Sequence, residues 1–288
     1  MAFDLASISA EAVASAPRIV LLGVEKIGKT SFACGDRVVD GRITEYGLNK
    51  PVILSIRGEQ GADAIPVPKF PVAQTFADTI EALAALYTGE HDYRTVVVDS
   101  VSALEPLIWA ETCQEAGVQS IEKVGGGYGK GYTEALSKWR RLLDGLDALR
   151  AKRNMASIVI GHTKVKAINN PDTDSYDAYQ LDINDKAANL LFRWADLILF
   201  ANTKVVVKKE NTGFNGEKKR AIDAANGARF LYTQKRPSHP GGGRGIYGEL
   251  PYELPLDWAS FQAAVAGCMG ARAENGAAKN NDKQNNKE

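Results

Sequence analysis

Residues 18–30 have the sequence RIVLLGVEKIGKT, in which an apolar run leads directly into a glycine-containing loop. The first six residues are rich in Ile, Val and Leu, as in strands that are buried on both faces of a parallel sheet. The rest, Gly23 to Thr30, satisfies the pattern G-x-x-x-x-G-K-[ST], and we expect a helix from Thr30 to about Cys34. Strand, phosphate loop and helix in this order predict a nucleotide-binding site in an α/β fold.

Each part of this loop has a physical role in holding a phosphate chain. Glycines let the backbone turn tightly, so that successive N–H groups point at phosphate oxygens, and the following helix adds its positive N-terminal dipole. Lys29, a predicted catalytic residue, is expected to reach the β- and γ-phosphates, and the Thr30 hydroxyl is expected to bind Mg²⁺. The Glu25 side chain is expected to face outward, because an inward carboxylate would repel phosphate. The residues predicted to bind ATP here are Gly23, Val24, Glu25, Lys26, Ile27, Gly28, Lys29, Thr30 and Ser31.

Acidic residues that follow other strands complete the predicted site. Residues 95–99, TVVVD, are predicted to form a strand that ends in Asp99, which would hold Mg²⁺ through water. Glu59 follows a predicted strand at residues 51–56 and is the candidate catalytic base that polarises the attacking water. Asp63 is its near rival, and a solvated loop glutamate is the alternative interpretation of Glu59.

A histidine follows the predicted strand at residues 156–161. His162 could sense the γ-phosphate as a hydrogen-bond donor and transmit its presence to the next loop, and a packed structural histidine is the alternative. The other two histidines, His91 and His239, lack metal-ligand spacing and are interpreted as surface residues.

The remaining pattern continues the alternation of strands and helices. A fifth apolar run covers residues 195–201, and helical spacing of apolar residues covers residues 75–87 and 132–153. Residues 204–207 and 228–233 are candidate antiparallel strands toward the C-terminus. The alternation predicts a mostly parallel twisted sheet with helices on both faces.

Composition limits the remaining possibilities. The chain has 288 residues, and its 35 Lys and Arg residues balance 35 Asp and Glu residues, so contact with nucleic acid must come from local basic patches. The three scattered cysteines and the absence of a signal peptide or membrane span favour a cytoplasmic protein. We predict an ATPase core at residues 17–268, a polar arm at residues 1–16 and a disordered polar tail at residues 269–288.

The order of these features resembles the RecA/RadA core. More closely, the chain resembles small phage-encoded ATP-binding proteins that consist of a reduced RecA core and act as single-strand annealing recombinases. The resemblance runs from about residue 17 to about residue 265. The segments that carry it are GVEKIGKT (23–30), VVVDSVSAL (96–104), GKGY (129–132), HTKVKAINNPDTDSYDAYQLDI (162–183), WADLILFA (194–201) and LPLDW (254–258).

The resemblance implies ATP-modulated binding to single-stranded DNA, self-assembly into rings or filaments, annealing of complementary strands, and a single-strand DNA-binding protein as a partner. It also implies two DNA-facing loops, here residues 123–132 and 164–179. Their lysines would contact phosphates, and aromatic rings would stack on bases at about 1–3 kcal/mol each. The residues predicted to contact DNA are Lys123, Tyr128, Lys130, Tyr132, Lys164 and Lys166. A flexible linker is the alternative for the first loop, and a nucleotide lid is the alternative for the acidic second loop.

RecA-like enzymes complete their ATP site with a basic residue from the neighbouring protomer. Candidates here are Lys204, Lys208, Lys209, Lys218, Lys219, Arg220, Lys235 and Arg236.

Three alternative functions stay open at this point. The chain could be a nucleotide-gated binding module without turnover, such as a helicase loader. It could be a helicase motor of phage replication, or a small-molecule kinase, although no arginine-rich lid is visible for the latter.

Overall fold

The computed structural model describes residues 15–171, 174–211, 217–223 and 227–285 of the chain. The predicted N-terminal arm therefore lies almost entirely outside the described residues. The strands are β1 (Arg18–Gly23), β2 (Arg37–Val39), β3 (Arg42–Glu45), β4 (Pro51–Ser55), β5 (Thr95–Asp99), β6 (Ala156–Gly161), β7 (Thr163–Ile168), β8 (Tyr176–Leu181), β9 (Leu197–Thr203), β10 (Val205–Asn211), β11 (Glu217–Asp223), β12 (Arg229–Tyr232), β13 (Gly242–Gly243) and β14 (Glu253–Pro255). The helices are α1 (Lys29–Ala33), α2 (Phe76–Thr88), α3 (Val101–Glu115), α4 (Lys130–Glu134), α5 (Leu136–Arg153), α6 (Asp185–Trp194) and α7 (Trp258–Asn285), with 3₁₀ turns at Ile121–Gly126 and Gly245–Glu249.

The main sheet has the strand order β14-β12-β9-β1-β6-β5-β4, and β13 also pairs with β9. The five strands from β9 to β4 are parallel, whereas β12 pairs antiparallel with β9 and β14 pairs antiparallel with β12. Strand β6 lies between the phosphate-loop strand β1 and the Asp99 strand β5. This order confirms the predicted α/β fold, with a mostly parallel sheet and antiparallel strands toward the C-terminus.

The hydrophobic core has one layer on each face of this sheet. Alternate residues of β1 point into opposite layers, with Val20 on one side and Leu21 on the other, and both side chains are fully buried. Helices α2, α3, α5 and α6 cover the first face, and α1 and α7 cover the second. Because both faces are covered, the parallel strands are continuous apolar runs.

The structure corrects several expectations about segments outside the main sheet. Within the predicted loop at residues 164–179, residues 164–168 and 176–179 pair as antiparallel strands of a β7–β8 hairpin. Residues 123–132, also predicted as a loop, form the end of a 3₁₀ turn and the start of α4. The predicted strand at residues 204–207 belongs to a separate β10–β11 hairpin, outside the main sheet. Helix α7 has its C-terminal bound at Asn285, and the disordered polar tail at residues 269–288 stays a prediction.

His239 is buried, with 4% of its surface exposed, and the prediction that it lies on the surface is wrong. Its ring stacks on Phe200 of β9, which explains the burial of a residue that sequence spacing alone could not place.

In the part of the chain that the structure describes, no helix is both long and apolar enough to span a bilayer.

Candidate ATP-binding site

The predicted phosphate loop joins β1 to α1 at the carboxyl edge of the sheet. Its two glycines are required for different physical reasons. A Cβ at Gly23 would collide with the backbone carbonyl of Ala201 on β9, so this glycine permits close packing of two strands. Gly28 has a φ of 112°, in the left-handed region that glycine adopts without strain. Helix α1 starts at the next residue, as the motif predicts, but its five residues make its dipole contribution small.

Lys29 lies inside this loop, with only 6% of its surface exposed. Its Nζ donates hydrogen bonds to the carbonyl oxygens of Gly23 and Val24, each at 2.9 Å. Burial lowers the pKa of the ammonium group, and the nearby carboxylates of Asp99 and Glu59 act in the opposite direction. A buried cation that is bound to carbonyl oxygens is well placed to bind an anion such as a phosphate group.

Thr30 and Asp99 form the second contact of the site. The Thr30 hydroxyl donates a hydrogen bond to Oδ2 of Asp99 at 2.8 Å, and Asp99 is 3% exposed. Burial raises the pKa of Asp99 to about 6. Gly61 passes close to both groups, since a Cβ there would lie 2.9 Å from Oγ1 of Thr30. A buried carboxyl group beside a hydroxyl group is a suitable oxygen donor set for Mg²⁺.

Glu59 is held between two residues from other elements. Its Oε1 accepts a hydrogen bond from Oγ of Ser100 at 2.5 Å and lies 2.9 Å from Nε2 of His162. The hydrogen bond with His162 lowers the pKa of Glu59, and the same contact raises the pKa of His162. Glu59 is therefore ionised at neutral pH, as a general base must be.

These residues line one cleft of about 420 Å³. The cleft brings together Lys29, Thr30 and Asp99 with Glu59 and His162, which come from four separate parts of the sequence. Its remaining lining residues are Glu25, Lys26, Gly28, Ser31 and Gly61. Glu25 is exposed but lines the cleft, so its outward orientation stays a prediction. The donor set fits Mg²⁺-ATP: Lys29 would bind phosphate, and Thr30 and Asp99 would hold the ion.

Sequence patterns did not predict Gly61, which lines this cleft, or Ser100, which contacts the lining residue Glu59. Ser100 accepts a hydrogen bond from the backbone of Ala103 as the N-cap of α3 and also binds Glu59. The sequence signal for Ser100 was its position between the aspartate that ends a strand and the start of a helix, where serine is a favoured N-cap. Gly61 gave no signal in the sequence. Asp63, the rival of Glu59, is exposed and does not line the cleft, so the geometry favours Glu59 as the base.

The residues predicted to contact DNA lie outside this cleft and differ in accessibility. Tyr128 is fully exposed, and Lys123 and Lys130 are exposed. Tyr132 is half-buried and hydrogen-bonds to Glu122, with its ring 5.4 Å from that of Trp109. It therefore has a structural role in addition to any contact with DNA.

The two lysines of the β7–β8 hairpin already have partners. Lys164 donates a hydrogen bond to the carbonyl oxygen of Ile183 at 2.7 Å and lies 3.5 Å from the carboxylate of Asp182. Lys166 forms an ion pair with Asp185. Binding of a phosphate backbone to this hairpin would therefore require these ion pairs to open or to be shared.

A family model described as an AAA domain (AAA_24) matches residues 15–245, which is well over half of the chain. This chain belongs to the AAA domain family. The matched region contains the phosphate loop and all residues that line the cleft, so the protein is a P-loop ATPase of the AAA type.

No curated protein sequence matches this AAA domain protein. Among solved structures, one similar chain is described as the RadB recombinase, with 17% sequence identity and a TM-score of 0.37. That match covers 66% of this chain and 77% of the RadB chain. A similarity of this extent carries no information about function.

Proposed function

We propose that this AAA-type protein hydrolyses ATP with Mg²⁺, binds single-stranded DNA and promotes the annealing of complementary strands as a homo-oligomer, in a ring or a filament. The observation that supports this proposal best is the direct connection between the ATP-binding cleft and the β7–β8 hairpin, one of the two segments predicted to contact DNA. A single-strand DNA-binding protein is the partner class that such an activity requires.

The residues of the cleft have complementary roles in hydrolysis. Glu59 is placed to accept a proton from the attacking water. Lys29 and the backbone N–H groups of residues 23–30 bind and orient the phosphate oxygens. When bound at Thr30 and Asp99, Mg²⁺ supplies positive charge that offsets the negative charge of the phosphates.

The connection from the cleft to the hairpin starts at His162. This side chain contacts Glu59, and its backbone N–H donates a hydrogen bond to Oγ of Ser102 on α3 at 3.0 Å. Strand β7 begins at the next residue, Thr163. A change in the contacts of Glu59 therefore reaches the base of the hairpin through a single residue.

The other predicted DNA segment, residues 123–132, is followed directly by Thr133 of α4, which contacts the N-terminal end of α6. Lys166 of the hairpin pairs with Asp185, the first residue of α6. The next residue, Lys186, donates a hydrogen bond from Nζ to Oγ1 of Thr133 on α4 at 2.6 Å. These contacts link the hairpin to α4 through the start of α6, and the exposed residues Lys123, Tyr128 and Lys130 offer the contacts that single strands use.

The proposal is tested by ATP turnover with and without oligothymidylate, at low and at raised salt. Turnover should rise with DNA and lose that stimulation as salt increases, because lysine–phosphate contacts release counterions. Lys29→Ala serves as the blank. If DNA does not change the rate of ATP turnover and labelled DNA does not bind, the proposed DNA function is wrong. The protein is then an AAA-type ATPase with a different partner.

The catalytic assignment has its own test. Glu59→Gln should lower ATP turnover by a factor on the order of 10²–10⁴, because it removes the proton acceptor, while nucleotide binding persists. Asp63→Asn is the matched control, since it removes an exposed carboxylate four residues away and should leave turnover unchanged. If Glu59→Gln turns over ATP at the normal rate, the protein uses another base. If the wild type binds ATP but shows no turnover above the Lys29→Ala blank, the protein acts as a nucleotide-gated module.

A further inference from the structure

A second cleft, of about 930 Å³, opens at the same edge of the sheet as the ATP-binding cleft and shares no residue with it. Phe200 in its wall pairs in register with Leu22, and the next residue, Ala201, pairs with Gly23 at the start of the phosphate loop. The second cleft is therefore formed at the carboxyl end of β9, beside the strand that carries the phosphate loop.

Aromatic rings form a continuous wall of this cleft. The rings of Phe200 and His239 are stacked with centroids 4.6 Å apart, and Tyr232 lies 5.2 Å from His239. Tyr252 extends the wall from Tyr232 at 5.3 Å, and Tyr179 extends it from Phe200 at 5.1 Å. The wall therefore joins strands β9 and β12 of the main sheet to the β7–β8 hairpin.

The inner and outer rings of this wall differ in exposure. Phe200, Tyr232 and His239 are buried, whereas Tyr179 and Tyr252 are only partly buried and form the rim. Burial raises the pKa of Tyr232 and Tyr252 and lowers the pKa of His239. All three rings are consequently neutral near pH 7, and none presents a charge that would repel a nucleobase.

Positive charges surround the aromatic wall. The guanidinium group of Arg236 lies 3.8 Å from the centroid of Tyr252 and has no carboxylate partner among the described residues. Lys204 pairs with Glu253 at 3.0 Å, so the one acid of the cleft is neutralised. Lys235, which is exposed, adds a further positive charge beside Arg236. Cations beside aromatic faces are the combination that binds single-stranded nucleic acid.

The cleft continues toward the hairpin as a second groove of about 310 Å³, which shares Arg236 and His239 with it. The groove lies between β8 and the segment at residues 235–241. The backbone N–H of Tyr179 on β8 donates a hydrogen bond to the carbonyl oxygen of Ser238 in this segment at 2.9 Å. A bound strand would thus have an unbroken path from the aromatic wall to the hairpin that carries Lys164 and Lys166.

We propose that this cleft binds the unpaired bases of single-stranded DNA by stacking on Tyr252, Tyr179 and the Arg236 guanidinium. The identity of the strand as DNA rests on the proposed function, whereas the cleft itself is an additional contact surface beyond the two predicted loops. Bases in a duplex are stacked on one another and cannot reach this wall, so the site selects single strands.

The test measures the affinity of the full chain, with Mg²⁺ and ATP, for fluorescently labelled oligothymidylate by anisotropy. Tyr252→Leu removes one ring but keeps apolar bulk, and Arg236→Gln removes the exposed cation. Tyr87→Leu is the matched control, because the Tyr87 ring also has a cation above it, Lys152 at 3.9 Å. Tyr87 lies near the end of α2, which precedes the amino end of β5, at the edge of the sheet opposite the cleft. Thermal unfolding of each variant checks that it folds.

Tyr252→Leu should weaken DNA binding on the order of tenfold, and the control should bind like the wild type. Arg236→Gln should also lower the slope of log Kd against log salt by about 0.7, the value for one phosphate contact on a single strand. An oligonucleotide that carries 5-iodouracil should crosslink to peptides that contain Tyr179 or Tyr252.

The other outcomes separate the two proposals. If the wild type binds DNA and both cleft variants bind as tightly as the control, the cleft is not a DNA site, although the proposed function stands. If the wild type binds no single-stranded DNA, both proposals fall. If Tyr252→Leu alters the sedimentation of the protein but not its DNA affinity, the cleft is an interface between copies of the chain, and the inference is wrong.

Discussion

Glu59 uses one carboxylate oxygen for both Ser100 and His162, and this arrangement determines its protonation state. Both contacts stabilise the ionised carboxylate, and the contact with His162 is the larger influence on its pKa. Partial burial acts in the opposite direction but is outweighed. His162 is therefore a positioning residue that also keeps the candidate base ionised.

This role predicts a shift in pH dependence. Replacing His162 with Gln keeps a hydrogen-bond donor but removes the imidazolium charge, so the pKa of Glu59 should rise toward its ordinary value. Because the ionised form is the active base, the acidic limb of the kcat–pH profile should move to higher pH. His91→Gln is the matched control, since His91 bonds to the carbonyl oxygen of Leu86 outside the cleft. An unchanged acidic limb in His162→Gln would show that His162 serves packing alone.

The site residues that sequence patterns could predict are those with a local signature. Lys29 and Thr30 belong to a fixed motif, and Asp99 ends an apolar strand, so spacing and strand order were sufficient. The contact between Glu59 and His162 had no such signature, because 103 residues separate them and only the sheet order brings their strand ends together.

At the scale of elements, α3 connects the Asp99 strand to the hairpin region. Glu105 of α3 is 6% exposed, and its two carboxylate oxygens lie 2.8 and 3.0 Å from the backbone nitrogen of Asn184, the N-cap of α6. Burial raises the pKa of Glu105 to about 7 from 4.5. The carboxyl group therefore holds a proton in the folded protein at pH values where the unfolded chain has released it.

This pKa predicts the sign of a stability change with pH. A raised pKa in the folded state means that the contribution of Glu105 is fully present below its ordinary value of 4.5 and is lost as the pH rises through about 7. Glu105→Gln cannot ionise, so its unfolding midpoint should fall less than that of the wild type across this range. Glu111→Gln, a partly exposed change on the same helix, should behave like the wild type. If the unfolding midpoint changes with pH in the same way for all three proteins, Glu105 does not have a raised pKa in the folded state.

The elements that patterns failed to predict lacked a clear periodicity. Helix α3 contains Pro106, which removes a backbone donor and normally marks a helix end. The β7–β8 hairpin has largely polar strands that pair with each other outside the main sheet, so no apolar alternation marked it. By contrast, the five parallel strands are continuous apolar runs, and patterns predicted each of them within about two residues.

At the scale of the whole molecule, β1 lies inside the sheet and carries functional groups at one end and an ion-pair network at the other. Arg18 at its start binds Asp196 at 2.8 Å, and Arg150 of α5 reaches the same carboxylate at 3.3 Å. These contacts join β1, α5 and the start of β9 at the edge opposite the phosphate loop. The phosphate loop is therefore part of the stable core, and ligand binding there should stabilise the whole domain.

Mg²⁺-ATP at about 100 times its Kd should stabilise the folded state by about 2.7 kcal/mol and raise the unfolding midpoint by roughly 5–10 °C in one transition. The gain appears in a single transition because the loop is continuous with the central strand of an eight-stranded sheet that joins residues 18 to 255. Lys29→Ala should lose most of this shift, whereas Lys152→Ala, an exposed change on α5 outside the cleft, should keep it. Calorimetry distinguishes the outcomes: a ligand shift confined to one of two transitions would mean that the sheet is not a single cooperative unit, and a full shift in Lys29→Ala would mean that ATP binds elsewhere.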